Sequence, residues 1–344
     1  MRTVYRSRTL CALFRARFAL IGMALAISVL TVQVATAADK KAIRVNHAGA
    51  EDIVGTEHQM FAWIFANYVN SRSPTLEVKI YPNSSLGQSR QVIEAMQLGS
   101  GASMHVGGMA EFANFCKAKC GVIGLPFIFR GYDHVQRVLD GPVGAELSKE
   151  IKIVGFKVLG YLYSWGYRNV ATAKREIKTV ADLKGLKIRT IPTPVFVGAV
   201  NAMGASATPM NFGEVYTSLQ SGVLDGYEHT STTTVSFKFY EIAKYYALTQ
   251  HLLDPTVVAF SLSEWNKLDD KEKAVVQEGA KLATDIARAM SPVRDAEGMA
   301  ELQRRGMIIT RPDMTEARKA AESVQRDLAS KLKADDLLKQ ILAQ

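Results

Sequence analysis

Between Gly185 and His229 the apolar and polar positions switch period repeatedly without a long interruption. Leu186–Thr190 is a short apolar and β-branched run that predicts a strand. Thr193 followed by Pro194 reads as an N-cap and the first helical position, where a missing N–H does no harm. Phe196, Val200 and Met203 recur at helical intervals, and Gly204 falls where a left-handed helix end is expected. Ser206–Pro209 predicts a second strand. Asn211 with Glu214 resembles a capping box, Val215, Leu219 and Val223 fall four apart, and Gly222 closes that helix before a third strand at Val223–Gly226. Two β-to-α crossovers of this length imply parallel strands with helices packed on them in the right-handed sense. In open α/β sheets ligands sit beyond the carboxyl ends of the strands, and Arg189, Phe212 and His229 occupy such ends. A permanent cation, an aromatic face and a titratable ring would converge there on an anionic organic ligand.

The N-terminal half repeats the alternation. Ala42–Asn46 predicts a strand, Thr56–Asn70 an amphipathic helix with a core stripe of Phe61, Ile64, Phe65, Tyr68 and Val69, and Leu76–Tyr81 a cleanly alternating strand. A helix over Gln88–Leu98 and a strand over Ala102–Val106 complete a second β-α-β-α-β series. Two helical patterns follow over Asp133–Ile151, then a long strand-like run, Ile153–Tyr163, which leads through Gly166 and Tyr167 to Arg168. Thr256–Leu262 is an apolar strand suited to return to the first half, and helical patterns over Asp270–Gly306 and Met314–Lys333 finish the chain. No Gly/Ser-rich linker separates the halves. The pattern predicts an α/β protein of two lobes, each a mainly parallel sheet flanked by helices, with the chain crossing back and forth: 39–165 plus 254–293 as lobe I, 166–253 plus 294–344 as lobe II, including the C-terminal helices.

Charge sharpens this picture at the N-terminus. Five of the 42 basic side chains and none of the 33 acidic ones precede residue 39, so the excess of +9 falls to +4 beyond it. That remainder carries no basic stripe interleaved with aromatics and gives no reading as a nucleic-acid binder. The arginines lead into an apolar run of 13 residues, Phe18–Leu30, and then Ala35-Thr36-Ala37-Ala38, the layout of a signal peptide over 1–38. Thirteen residues fall short of the ~20 that a spanning helix needs. Export into an oxidising compartment leaves Cys116 and Cys120 as either a disulfide or two free thiols, with no redox or metal-site spacing.

No enzyme signature emerges: there is no GxSxG elbow, P-loop, HExxH or GxGxxG, and the six histidines are scattered. No catalytic residue, metal site or cofactor is predicted. His58 and His134 read as solvated helix faces and His105 as a satisfied core residue. Arg189 is the exception to a bland reading, because arginine rarely ends a buried strand unpaired. Its alternatives are a structural ion pair, to Asp182 or Glu228, or a ligand carboxylate, which a guanidinium fork matches with two parallel hydrogen bonds.

Ala181–Arg189 (ADLKGLKIR), Pro209–His229 (PMNFGEVYTSLQSGVLDGYEH), Ile80–Gly87 (IYPNSSLG) and Leu125–Phe129 (LPFIF) together resemble the solute receptors of tripartite ATP-independent periplasmic (TRAP) transporters, over essentially the whole mature chain. The resemblance implies a periplasmic, monomeric receptor that closes on a small organic acid and hands it to TRAP membrane permease subunits. It puts Arg189 at the carboxylate-clamping position, Arg168 at a second ligand-contacting arginine and Phe212 at a ring packed on the ligand. His47 and Gln88 lie at positions lining the first lobe's face. From the residues themselves, Trp165 and Tyr167, flanking Gly166 near Arg168, read either as cover for a ring or aliphatic face of the ligand or as hinge packing. His229 departs from the asparagine common in the family, and an imidazole there would make affinity depend on pH between about 5 and 8. Gly108 stands where some sialic-acid receptors carry an acidic contact. The rival readings are a periplasmic enzyme acting on an organic acid and a sensor for a membrane kinase.

Overall fold

The computed structural model describes residues 40–116 and 119–344, so the expected signal peptide lies outside it. Lys41–Gln344 packs as one unit. Its strands are β1 (Lys41–Asn46), β2 (Leu76–Tyr81), β3 (Met104–Gly108), β4 (Phe156–Leu162), β5 (Arg168–Thr172), β6 (Lys187–Thr190), β7 (Ser206–Pro209), β8 (Gly226–His229), β9 (Tyr245–Leu252), β10 (Thr256–Ser261) and β11 (Ile308–Thr310). They form a five-stranded sheet, β2-β1-β3-β10-β4, and a six-stranded sheet, β11-β9-β5-β8-β6-β7. The chain passes from the first to the second between β4 and β5 and returns between β9 and β10.

Both sheets are mixed. The parallel pairings expected within each lobe are present, β1 with β2 and β3, and β6 with β7 and β8. Every antiparallel pairing involves β5 or β10, the strands that follow these two crossings; β11, reached by a third crossing through the long helix after β10, pairs parallel with β9. β10 is buried along its whole length because both of its faces are covered, which is why it reads as an unbroken apolar run. Val257 and Ala259 face one core cluster with Phe156 and Leu147; Val258 and Phe260 face the other with Phe61, Phe65 and Val276.

The local signals around the second sheet mostly act as the sequence implies. Thr193 caps the Pro194–Ala202 helix by accepting from the Phe196 N–H at 3.3 Å, and Gly204 and Gly222 take φ of +84° and +77°. β8, however, begins three residues later than its apolar start suggests. Val223 is exposed and Leu224 is buried inside a turn whose N–H bonds back to Ser218 O at 3.2 Å. Cys116 and Cys120 are joined by a disulfide.

Asp270–Arg304 is a single 35-residue helix with Pro292 inside it. It packs on Glu57–Arg72 at one end and on Ser231–Ser236 at the other, where a side chain at Gly298 would meet Ser231 Oγ at 2.6 Å. After Thr315–Lys331 comes a helix the pattern did not announce, Asp335–Ala343. Its Leu337, Leu338 and Ile341 join the cluster of Val138, Leu147 and Ile151, beneath the first sheet rather than the second.

Candidate functional site

A cavity of about 210 Å³ lies where the carboxyl ends of β3, β6 and β8 converge. Gly107 and Gly108 border it from β3, Arg189 from β6 and His229 from β8; Gln88, Arg168, Phe212, Phe237 and Asp254 complete the chemically distinctive part of its wall. Gly55 of its wall accepts at the carbonyl from Ser236 Oγ at 2.8 Å. Gln88 reaches to within 3.5 Å of where a side chain at Gly213 would begin.

The two arginines have different duties. Arg168 is buried and donates through Nε and Nη2 to the carboxylate of Glu228, with Nη2 2.9 Å from Oε1 and 3.0 Å from the Glu228 carbonyl. Thr190 Oγ1 donates to the same carboxylate at 2.9 Å. Burial alone would raise the Glu228 pKa, but Arg168 and His251 beside it hold the group well below the usual carboxylate range. The ion pair that the sequence leaves open for Arg189 therefore belongs to Arg168.

Arg189 has no carboxylate within salt-bridge distance among the described residues, although it is only 3% exposed. Nε and Nη2 both donate to the Met210 carbonyl, at 3.0 and 2.8 Å. A guanidinium carries five N–H groups, so the Nη1 and Nη2 edge stays available, the end-on fork that fits a carboxylate. Burial and neighbouring Arg168 pull its pKa down to about 10 against Glu228, which leaves it charged at neutral pH. Phe212 lies 5.7 Å from the Arg189 carbon and 5.4 Å from the His229 ring, held edge-on by Phe237 at 4.7 Å.

His229 Nδ1 accepts the Thr230 N–H at 2.9 Å, which fixes the neutral ring with its proton on Nε2. Nε2 has no partner among the described residues. Burial, followed by Arg168, pushes the His229 pKa well below 6.5, with Glu228 opposing. That shift runs against the titration expected between pH 5 and 8, and with Nδ1 accepting from Thr230 the neutral imidazole presents its Nε2–H as a donor.

A sequence profile described as DctP, bacterial extracellular solute-binding protein, family 7, matches residues 45–332. The chain belongs to this family. A solute-binding protein of Verminephrobacter eiseniae is 34% identical over 277 residues, 80% of this chain and 81% of that one. A TRAP periplasmic solute binding protein from Polaromonas sp. JS666, bound to D-erythronate, matches with a TM-score of 0.83 at 28% identity, covering 88% of this chain and 99% of its own. One from Sulfurospirillum deleyianum, with bound succinate, matches at 0.83 and 27%, covering 89% and 99%. The transport assignment and the two-lobed α/β fold of the TRAP receptors follow from these matches.

In this DctP-family chain Arg189, Phe212, His229, Arg168 and Gln88 come together on the cavity wall, and His47 and Trp165 do not. His47 is fully buried behind it, Nε2 paired with Gln59 Oε1 at 2.8 Å, and burial lowers its pKa to about 4. Trp165 is also buried, and its Nε1 donates to Ala287 O at 3.1 Å. His105 is satisfied in the core by Asn46 at 3.0 Å and Glu111 at 2.8 Å.

The two histidines read as solvated are not. His58 lines the cavity, its pKa lowered to about 3 by burial, and His134 is buried against Ile341 O at 2.8 Å. Glu57, Glu111 and Asp254 also border the cavity unannounced. Glu57, the first residue of the Glu57–Arg72 helix, accepts the Tyr163 and Ser164 N–H groups at 3.1 and 2.7 Å and so ties the first crossing. The one signal for Glu111 and Asp254 is the pair Gly107-Gly108, which marks room at the end of β3.

Proposed function

We propose that the protein is an exported receptor that captures a small organic acid between its lobes and delivers it to the membrane permease of a TRAP transporter. The observation that carries this reading is the buried Arg189, ion-paired to nothing among the described residues yet oriented by Met210 with its fork toward the cavity. The ligand carboxylate sits on that fork, His229 Nε2–H donates to it, and the Phe212 ring covers the adjoining apolar face. Arg168 acts from behind, positioned by Glu228, with only Nη1 left for the ligand. The erythronate and succinate found in related structures support an acid of this size. The Ser236 to Gly55 bond joins a residue of the second half to the cavity wall of the first, as expected of a receptor whose ligand favours the closed state by touching both lobes.

A receptor returns what it binds. Protein loaded with the best acid from an organic-acid library, then denatured, should release that acid unchanged and in equal amount. Recovery of a converted product would replace the receptor with a periplasmic enzyme using the same cleft.

A further inference from the structure

Asp254 is the cavity group that a carboxylate clamp does not use. It lies in the crossing between β9 and β10 and is 3% exposed. Its Oδ1 accepts the Ala110 N–H at 3.1 Å, and its backbone carbonyl accepts from Ser164 of the other crossing. Oδ2 has no hydrogen-bond partner among the described residues. It stands 2.3 Å from the point where a Cβ on Gly108 would be, at the end of β3 that forms the cavity wall.

Gly107 is cleared in the same way, with Glu111 Oε2 2.2 Å from its Cβ position. Neither glycine has positive φ, so their smallness serves space and not backbone shape. Glu111 is already engaged by His105 at 2.8 Å and Ser89 at 3.0 Å, and Glu57 by two backbone N–H groups, which leaves Asp254 Oδ2 as the carboxylate oxygen open to a ligand. The cations of the wall do not offset these acids. Arg168 is neutralised by Glu228 and Arg90 by Glu94, so only Arg189 carries uncompensated positive charge. Once one carboxylate has met Arg189, a second would be desolvated against Glu57, Glu111 and Asp254.

We propose that Asp254 determines specificity in this site: its Oδ2 accepts a hydrogen bond from a ligand hydroxyl and, with Glu111 beside it, excludes a second carboxylate, so that the ligand is a polyhydroxy monocarboxylic acid. This rests on the receptor reading, with Arg189 as the clamp for the first carboxylate. A hydroxyl donates where Asp254 needs a donor, whereas a carboxylate brings only acceptors and a like charge.

The test compares aldonates with aldarates of four, five and six carbons, matched pairs that differ only in a terminal CH₂OH or carboxylate. Calorimetry at pH 8 keeps Asp254 ionised, since burial lifts its pKa to about 7. At least one aldonate should bind, about 100-fold or more tighter than its partner aldarate, the scale of a like-charge clash of a few kcal/mol. Asp254→Asn, isosteric and still able to accept from Ala110, should weaken the aldonate and narrow the ratio to about tenfold or less. An aldarate bound as tightly as its aldonate overturns the proposal in wild-type protein, whatever the variant's folding, and so does an unchanged ratio in a folded variant. If only simple acids such as succinate bind, and Arg189→Ala abolishes that binding, the specificity inference falls and the receptor stands. If no organic acid binds at all, both fall.

Discussion

Glu228 takes Arg168 and leaves Arg189 to the cavity: Arg168 opens β5 and Arg189 lies near the end of β6, the two strands that flank β8 and its Glu228, but only Arg168 has a carboxylate at hydrogen-bond distance, 2.9 Å from Nη2 to Oε1. One arginine is thereby a fixed part of the wall, and the other is left as the group that the proposed clamp uses. A buried pair of this kind is more costly to break than it is stabilising to make.

Arg168→Ala should therefore lower unfolding stability by about 3–5 kcal/mol, because Glu228 would stay buried without its guanidinium bonds, keeping the Thr190 hydroxyl at 2.9 Å and His251 at 3.7 Å. Replacing both partners, Arg168→Met with Glu228→Met, should recover much of that loss. Urea unfolding of the single and double variants measures this; equal destabilisation by both would show that the charges matter for something other than each other.

In the proposed site His229 supplies a hydrogen and not a charge. His229→Asn keeps an N–H donor and should bind ligand with a pH profile that coincides with wild type from pH 5 to 8, because the histidine pKa lies well below 6.5. His229→Phe should lose affinity by about 1.5–3 kcal/mol, the range for hydrogen bonds to charged groups. Wild-type affinity that rises on acidification through pH 6.5 while the Asn variant stays flat would restore a titrating imidazole.

Glu57 links pH to stability. Burial raises its pKa from 4.5 to about 7 against the pull of the backbone N–H groups of Tyr163, Ser164 and Trp165. The native state thus holds a proton that the unfolded chain releases between those values, so this contribution is complete below pH 4.5 and is lost as pH rises through 7. Glu57→Gln has no such loss. Between pH 4 and pH 8 the variant should gain about 3 kcal/mol on wild type, from roughly 1.4 kcal/mol per pKa unit, read as the pH dependence of the difference in chemical-denaturation free energy. A pH-independent difference would mean that Glu57 titrates normally in the fold.

What the sequence made legible was local. Thr193-Pro194, Gly204 and the four-residue spacing of the next helix are short-range signals, so the unit carrying Arg189 and Phe212 could be placed from its own residues. β8 slipped by three positions because Val223 and Leu224 look like strand residues, yet one is exposed and the other anchors a turn. His134 and His58 look solvated from their own helices, but His134 is buried by a helix more than two hundred residues away at Ile341 and His58 meets Thr256 from β10 at 3.4 Å. Asp254 and Glu111 share this difficulty: two glycines on β3 make their place, and no period or spacing joins them. The resemblance of Arg189 to a clamp position was informative for the same reason in reverse, since it imports long-range geometry that a single chain does not spell out.

The most direct measurement is calorimetric titration of Arg189→Ala with the acid that wild-type protein binds best. The open guanidinium fork requires a loss of about 2–5 kcal/mol, the cost of removing one partner from a buried charged pair. Arg189→Lys should recover only part of it, since an ammonium cannot copy the two parallel bonds. Unchanged affinity in a folded Arg189→Ala protein would contradict the carboxylate clamp and the receptor reading built on it.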